Sequence, residues 1–183
     1  MSVLFLWCGC GNSYFFSFEN GMDEWEVNGI DLDNPSIEWS VQRTQELARG
    51  GSVSLKFYLV NNNDKGKIWI ERLFNLKPDC LYRVNVRYAF ASADFGSVNH
   101  WNIITGIMEK QPQTVDEIIS LTQADTGNHS QTDVGYRWLG KNYNFTLRSS
   151  PDGTLYVIIG IWGVWETTRA YYVDSIFVSF TEK

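Results

Sequence analysis

A strict alternation of apolar and polar residues between Leu81 and Phe90 restricts the fold of this chain more than any other feature. Five large apolar residues occupy every second position: Tyr82, Val84, Val86, Tyr88 and Phe90. Arg83, Asn85 and Arg87 lie between them. Because successive side chains of a strand point to opposite faces, this segment predicts a strand with one buried face and one wet face. Such strands are typical of antiparallel sheets.

Similar alternation predicts nine strands, and turn residues separate several of them. The predicted strands cover residues 14–18, 36–45, 52–60, 67–76, 81–90, 100–109, 143–148, 155–162 and 171–180. Residues 61–66 read Asn-Asn-Asn-Asp-Lys-Gly and residues 150–153 read Ser-Pro-Asp-Gly, which are tight-turn compositions. Many short strands with short turns predict an all-β fold, an antiparallel two-sheet β-sandwich of the jelly-roll type.

The segment 111–135 is the exception to this pattern. Residues 115–121 favour one or two helical turns, and residues 124–133 are polar. A loop of this length is uncommon inside a compact domain and is often functional.

Composition limits the classes of function. The chain has 183 residues, 15% of them aromatic, and a formal net charge of −6. This length fits one domain. Since Lys and Arg are nowhere dense, the charge argues against nucleic-acid binding and against an anionic membrane surface.

The first thirteen residues differ from the remainder, so we divide the chain into a segment 1–13 and a sandwich domain 14–183. The segment is apolar but too short to span a bilayer. Gly9 and Cys10 before Gly-Asn-Ser resemble the cleavage site of a bacterial lipoprotein, which implies a lipid anchor at Cys10 and an exported, extracellular or cell-envelope protein. Trp7 and Cys8 depart from that pattern, and the alternative is a tail or strand with two buried thiols. Cys80 is most simply a small core residue.

Four segments resemble the galactose-binding-domain-like jelly rolls, a superfamily that includes many carbohydrate-binding modules. They are Phe18-Glu-Asn-Gly-Met-Asp-Glu-Trp25, Gly51-Ser-Val-Ser-Leu55, Leu76-Lys-Pro-Asp-Cys-Leu-Tyr-Arg-Val84 and Tyr172-Val-Asp-Ser-Ile176. The resemblance implies the same fold and, as an expectation, carbohydrate as the ligand.

The resemblance also implies a structural calcium ion. Its ligands would be Glu19 in the first strand, Asp174 in the last strand and a backbone carbonyl near Ser54. Calcium accepts many oxygen ligands in loose geometry. In the alternative interpretation Glu19 binds loop amides and Asp174 pairs with a base such as Arg49.

A first candidate sugar site is Trp165, Glu166 and Arg169, just before the last predicted strand. Sugars stack their C–H faces on aromatic rings, and charged groups bind the hydroxyls. The alternative is structural: Trp162 is core, Trp165 caps the sandwich edge, and Glu166 pairs with Arg169.

A second candidate site is the polar row of the best-defined strand, Arg83, Asn85 and Arg87, with Trp101 as a flanking ring. Trp69, His100 and Trp138 are further flanking candidates. Alternatively this row is a solvated face whose arginines pair with carboxylates such as Glu71.

Catalytic patterns are weak. His100 and His129 are isolated and match neither a zinc spacing nor a Ser-His-Asp arrangement. Glycoside hydrolysis needs only two carboxylates, for which Glu38, Glu71, Glu109 and Glu166 are conceivable. The sequence therefore predicts a non-catalytic module that binds an oligo- or polysaccharide. A structural or adhesive protein-interaction domain of the cell envelope is the alternative, and a glycoside hydrolase is third.

Overall fold

The predicted all-β architecture is confirmed by the structure, a computed structural model that describes residues 11–33 and 36–183. Cys8 and Cys10, and with them the predicted lipid anchor, lie outside the described residues. The elements are β1 (Asn12–Phe16), β2 (Glu26–Ile30), β3 (Trp39–Thr44), β4 (Ser54–Asn61), β5 (Lys67–Asn75), β6 (Leu81–Ser92), β7 (Asn102–Met108), α1 (Val115–Ile119), β8 (Thr122–Asp125), β9 (Arg137–Arg148), β10 (Thr154–Trp162) and β11 (Thr167–Glu182).

Two antiparallel sheets pack face to face. The five-stranded sheet has the order β2-β5-β10-β7-β8, and the six-stranded sheet has the order β3-β4-β11-β6-β9 with β1 added beside β11. β11 is long enough to hold two neighbours on one side: Thr167–Val173 pairs with β4, and residues 176–180 pair with β1. The pairing with β6 shifts between Asp174 and Phe177, where Ser175 takes a φ of 55°. This bulge turns Asp174 toward the loop between β3 and β4.

The alternation in β6 acts as the sequence predicts. Tyr82, Val84, Val86, Tyr88 and Phe90 are buried, whereas Arg83 and Arg87 are exposed. The core lies between the sheets, and Phe57, Leu59 and Ile70 are among its fully buried residues. Each such side chain stabilises the fold by about 1.5–3 kcal/mol relative to exposure.

Three strands differ from the prediction. β2 and β8 have five and four residues, too few for their alternation to stand out. β9 begins at Arg137, six residues before the predicted start at 143, because it is an edge strand whose side chains alternate only between half-buried and exposed. Because none of its residues is fully buried, the apolar alternation that marks a strand is weak in β9.

The predicted helical turn in the long loop is confirmed as α1. Thr114 and Glu117 form a capping box at its start. Ile118 is buried against Trp69, Ile104 and Ile158 on the outward face of the five-stranded sheet. The first part of the long loop, which contains α1, therefore covers the five-stranded sheet. After β8, residues 126–136 lead to the start of β9. No helix in the described ranges is long and apolar enough to cross a membrane.

Candidate functional site

Exposed apolar side chains concentrate at one end of the sandwich. This loop end consists of residues 62–66, 93–101, 126–136 and 163–166, which connect β4 to β5, β6 to β7, β8 to β9 and β10 to β11. Five exposed large hydrophobic residues lie on it: Phe95, Val98, Val134, Tyr136 and Trp165. In the described chain only two others are as exposed, Phe15 and Leu73. Grouped exposure of this kind marks a binding surface.

Trp165 is held by its backbone and presents its ring to solvent. Its carbonyl oxygen accepts hydrogen bonds from Asn61 Nδ2 at 2.8 Å and from Trp101 Nε1 at 3.2 Å. Asn61 is itself fully buried at the end of β4. The Trp165 side chain is 50% exposed, and Glu166 beside it is exposed without an ion pair in the described part of the chain. The site thus combines a fixed backbone with a free ring and a free carboxylate.

Trp101 does not have the predicted ligand-binding role. Its side chain is fully buried, and the Arg169 guanidinium lies over its ring at 5.9 Å. Trp101 lies just before β7, and its indole is buried because it packs on Tyr171. The prediction for Trp101 was wrong because the polar residues beside it in the sequence, His100 and Asn102, gave no sign that Trp101 itself is buried in the core.

Arg169 is part of a buried network and not a free ligand group. It forms an ion pair with Asp94 and donates from Nη2 to the carbonyl of Asn99 at 3.0 Å. The alternative pairing of Arg169 with Glu166 is also wrong, because Asp94 takes that place. Asp94, which sequence reasoning missed, is a carboxylate just after the end of a long buried strand, and its side chain is only 3% exposed.

The same carboxylate ties three elements together. Asp94 Oδ2 accepts hydrogen bonds from the Tyr171 hydroxyl at 2.6 Å and from the Thr126 hydroxyl. Burial raises the pKa of Tyr171 far above its ordinary value, so the hydroxyl keeps its proton and donates. The network joins residues 93–101, residues 126–136 and β11, and it fixes the loops from which the exposed rings project.

A pair of tyrosines that the sequence did not single out lies where the loop end meets the six-stranded sheet. The rings of Tyr136 and Tyr172 are 5.0 Å apart and nearly perpendicular. The Tyr136 hydroxyl donates to the carbonyl of Ala170 at 3.1 Å, and the Tyr172 hydroxyl donates to Glu46 Oε2 at 2.8 Å. Burial raises the pKa of Tyr136 above its ordinary value. Tyr136 is 40% exposed and adds a second accessible ring to the site.

Arg83 and Arg87 lie away from the loop end, on the outward face of the six-stranded sheet. The guanidinium of Arg87 stacks over the ring of Phe177 at 4.3 Å. Glu71, the suggested partner, belongs to the other sheet, and so does Trp69. The structure therefore separates the predicted ligand residues into two surfaces.

The proposed calcium ligands both contact the loop between β3 and β4. Glu19 Oε1 accepts the backbone amides of Ser52 and Val53, each at 2.9 Å. The amide of Ser52, followed by that of Val53, lowers the pKa of Glu19 below its ordinary value. Gly51 has a φ of 70° and leaves no room for a Cβ beside this carboxylate.

Asp174 approaches the same loop from the other side. Its Oδ2 accepts the amides of Arg49 at 2.7 Å and Gly50 at 3.0 Å, so the contact with Arg49 is through the backbone and not through the guanidinium. The hydroxyl of Ser54 donates to the carbonyl of Leu47 at 2.5 Å. Asp174 is fully buried, and no basic side chain in the described residues forms an ion pair with it.

These groups fit the chemistry of a calcium site in one respect. Both carboxylates contact the same loop and carry the oxygen atoms that calcium prefers, but backbone amides of that loop already donate to Glu19 Oε1 and to Asp174 Oδ2. Among the described residues no group of three or more His, Cys, Asp or Glu side chains could hold a metal, so backbone carbonyls would have to complete the site.

Two of the conceivable catalytic carboxylates, Glu71 and Glu166, lie in different parts of the fold. Glu71 is buried on the outward face of the five-stranded sheet, where its oxygens accept from Trp69 Nε1 at 2.7 Å, Asn28 Nδ2 at 2.9 Å and Gln111. It lines a cavity of about 250 Å³ with Glu24 and Glu26. Glu166 is at the loop end. Glu71 and Glu166 therefore do not face each other across a common site.

Comparison with known proteins bears on the fold. No protein-family model matches the chain, and no curated protein matches it. Similar solved structures include the K3 and K1 cleaved adhesin domains of Lys-gingipain from Porphyromonas gingivalis W83. Their sequence identities are 13% and 12%, and their TM-scores are 0.55 and 0.54. The alignments cover 93% and 91% of this chain and 99% and 97% of those chains.

Another similar structure is the N-terminal CBM22-1-CBM22-2 tandem domain of Paenibacillus barcinonensis Xyn10C. It has 13% identity and a TM-score of 0.50, and the alignment covers 96% of this chain and 46% of the tandem. These likenesses confirm the predicted two-sheet β-sandwich as the fold of this chain.

Proposed function

We propose that the domain binds carbohydrate at the loop end and does not transform it. The observation that carries the proposal is Trp165, whose ring is half exposed while its carbonyl is fixed by two hydrogen bonds. Because the backbone that carries the ring is already ordered, stacking the ring on the C–H face of a sugar costs side-chain entropy alone. Support also comes from the fold, which the carbohydrate-binding modules of the Xyn10C tandem share.

The polar groups around the ring suit hydroxyls. Glu166 has free carboxylate oxygens that can accept hydrogen bonds from sugar hydroxyls, and Tyr136 offers a second accessible ring. Arg169 acts here as a positioning residue, since its ion pair with Asp94 holds β11 against residues 93–101. The exposed acidic groups Asp133 and Glu166 favour an uncharged glycan over an acidic one at this end.

A protein partner is the second candidate function. Val98 is 72% exposed and Val134 is 55% exposed, and aliphatic side chains of this kind bury well against another protein but do not stack on sugars. This interpretation corresponds to a structural or adhesive domain.

A glycan array distinguishes the two functions. We expect saturable binding of the wild type to a coherent class of uncharged glycans. Trp165→Ala should weaken that binding at least about tenfold, equivalent to about 1.4 kcal/mol, because the stacking platform is lost. Leu73→Ala removes another exposed apolar side chain, 40% accessible, from β5 and should leave the binding unchanged. A blank array, or equal loss in both variants, would favour the protein partner.

We also propose that calcium stabilises the loop between β3 and β4, with Glu19 and Asp174 as its side-chain ligands. The ion would neutralise the buried carboxylate of Asp174 and restrain the loop. Removing it with a chelator should then lower the melting temperature by several degrees, since a ligand that binds only the folded state adds to its stability.

Two variants test whether the effect belongs to this site. In Glu19→Gln the calcium-dependent part of the melting temperature should disappear, whereas Glu109→Gln, an exposed carboxylate at the end of β7, should keep it. An identical melting curve of the wild type with calcium and with chelator would refute the ion.

We propose that the protein is exported and carries a lipid on Cys10. The support for this proposal is the sequence around Cys10. Mass spectrometry of the protein from its native cells would detect the lipid or its absence.

A further inference from the structure

We propose a second binding surface, for an acidic polysaccharide, on the outward face of the six-stranded sheet. This arginine face consists of the outward residues of β1, the second half of β11, β6 and β9. Its three basic members are Arg83, Arg87 and Arg148. The inference is independent of the loop end, because the two surfaces share no residue.

The strand register places the members of the arginine face in rows. Phe15, Phe177, Arg87 and Asn142 form one row across the four strands. The next two rows contain only short polar side chains besides Arg83: Ser13, Ser179, Asn85 and Asn144, followed by Thr181, Arg83 and Thr146. Leu81 and Arg148 close the face.

The charge on this face is uncompensated. None of the three arginines forms an ion pair with a carboxylate of the described residues, and the rows contain no Asp or Glu. Arg148 donates one hydrogen bond to the carbonyl of Asp79. In a chain with a net charge of −6, three such arginines on one face form a local site for an anion. Guanidinium groups bind carboxylates and sulfates in a bidentate manner.

The spacing of the arginines fits a repeating anion. Arg83 and Arg87 lie about 13 Å apart along the strand at four residues' rise, and Arg83 and Arg148 are diagonal neighbours at about 7–8 Å. A chain with acidic groups at intervals can contact more than one guanidinium at once.

The uncharged side chains of the arginine face favour an acidic polysaccharide over other polyanions. Asn85 Nδ2 donates to Asn142 Oδ1 at 2.7 Å and to Asn144 Oδ1 at 3.1 Å, which orders a ladder of amides that sugar hydroxyls can bind. Phe15 is 63% exposed and lies in register with Phe177. Its ring can stack on a sugar, and the Arg87 guanidinium lies over the Phe177 ring at 4.3 Å beside it.

Binding of polygalacturonate, measured by affinity electrophoresis and calorimetry at low salt, tests this proposal. We expect the wild type to bind, and Arg83→Gln/Arg87→Gln to bind at least about tenfold more weakly. The control Arg49→Gln/Lys110→Gln removes two exposed charges that lie outside both the arginine face and the loop end, and it should bind like the wild type. All of these positions are exposed, so unchanged melting temperatures should accompany the result.

Three outcomes would overturn the proposal: no binding of polygalacturonate by the wild type, equal loss in both double variants, or equally tight binding of poly-L-glutamate, which would indicate a surface for acidic proteins. The loop-end proposal has a separate readout, because Arg83→Gln/Arg87→Gln should leave binding of uncharged glycans intact.

Discussion

Asp94→Ala should lower the free energy of unfolding on the order of 3 kcal/mol, near the low end for breaking a buried ion pair because Arg169 keeps 23% exposure. The substitution leaves the Arg169 guanidinium without its anion, and the buried Tyr171 hydroxyl keeps only the longer hydrogen bond to Thr126 Oγ1 at 3.2 Å. Urea denaturation measures the loss. Since the Asp94 network joins residues 93–101 and 126–136 to β11, we also expect weaker glycan binding at the loop end.

Asp152→Ala is the matched control for this prediction. It removes the same charge from an exposed turn between β9 and β10 and should change stability by less than about 0.5 kcal/mol. If Asp94→Ala were as stable as this control, the Asp94 network would not stabilise the contact of residues 93–101 and 126–136 with β11.

The second large effect concerns Trp101. Trp101→Ala should lower the free energy of unfolding by about 3–5 kcal/mol, because it removes a fully buried indole from the core. It also removes one of the two donors that fix the Trp165 carbonyl. Trp165→Ala should differ in kind: it weakens glycan binding and leaves stability nearly unchanged, since half of that ring is already in water.

Trp101→Phe separates folding from positioning if the alanine variant does not fold. It keeps an aromatic ring in the core and deletes the indole N–H. We expect a folded protein whose affinity for the array ligand is lower than that of the wild type. Undiminished affinity in Trp101→Phe would contradict the positioning role of that hydrogen bond.

The sandwich itself was predictable from sequence because its signal is local. The alternation in β6 is set by residue type alone, and the outward position of Arg83 and Arg87 followed from it. The helical turns predicted for residues 115–121 are likewise a local signal, and α1 covers Val115–Ile119. The weak elements β2 and β8 lacked this signal, since each depends on pairing with one neighbour in the sheet.

The site was predictable only in part, because its geometry depends on contacts between distant residues. Trp165 and Glu166 were proposed from their residue types, and the structure shows both exposed. Nothing in the sequence shows that Trp101 is core or that Arg169 pairs with Asp94, 75 positions away. The contact between Tyr136 and Tyr172 likewise joins a loop to β11 across the sheet.

Chemical-shift mapping by NMR tests the central claim most directly. The uncharged oligosaccharide that binds best on the array is titrated into the labelled protein, and backbone and indole N–H shifts are followed. We predict that the large shifts fall in residues 93–101, 126–136 and 163–166, with the Trp165 indole among them. Large shifts confined to the outward face of either sheet, or no shifts at all, would contradict a carbohydrate site at the loop end.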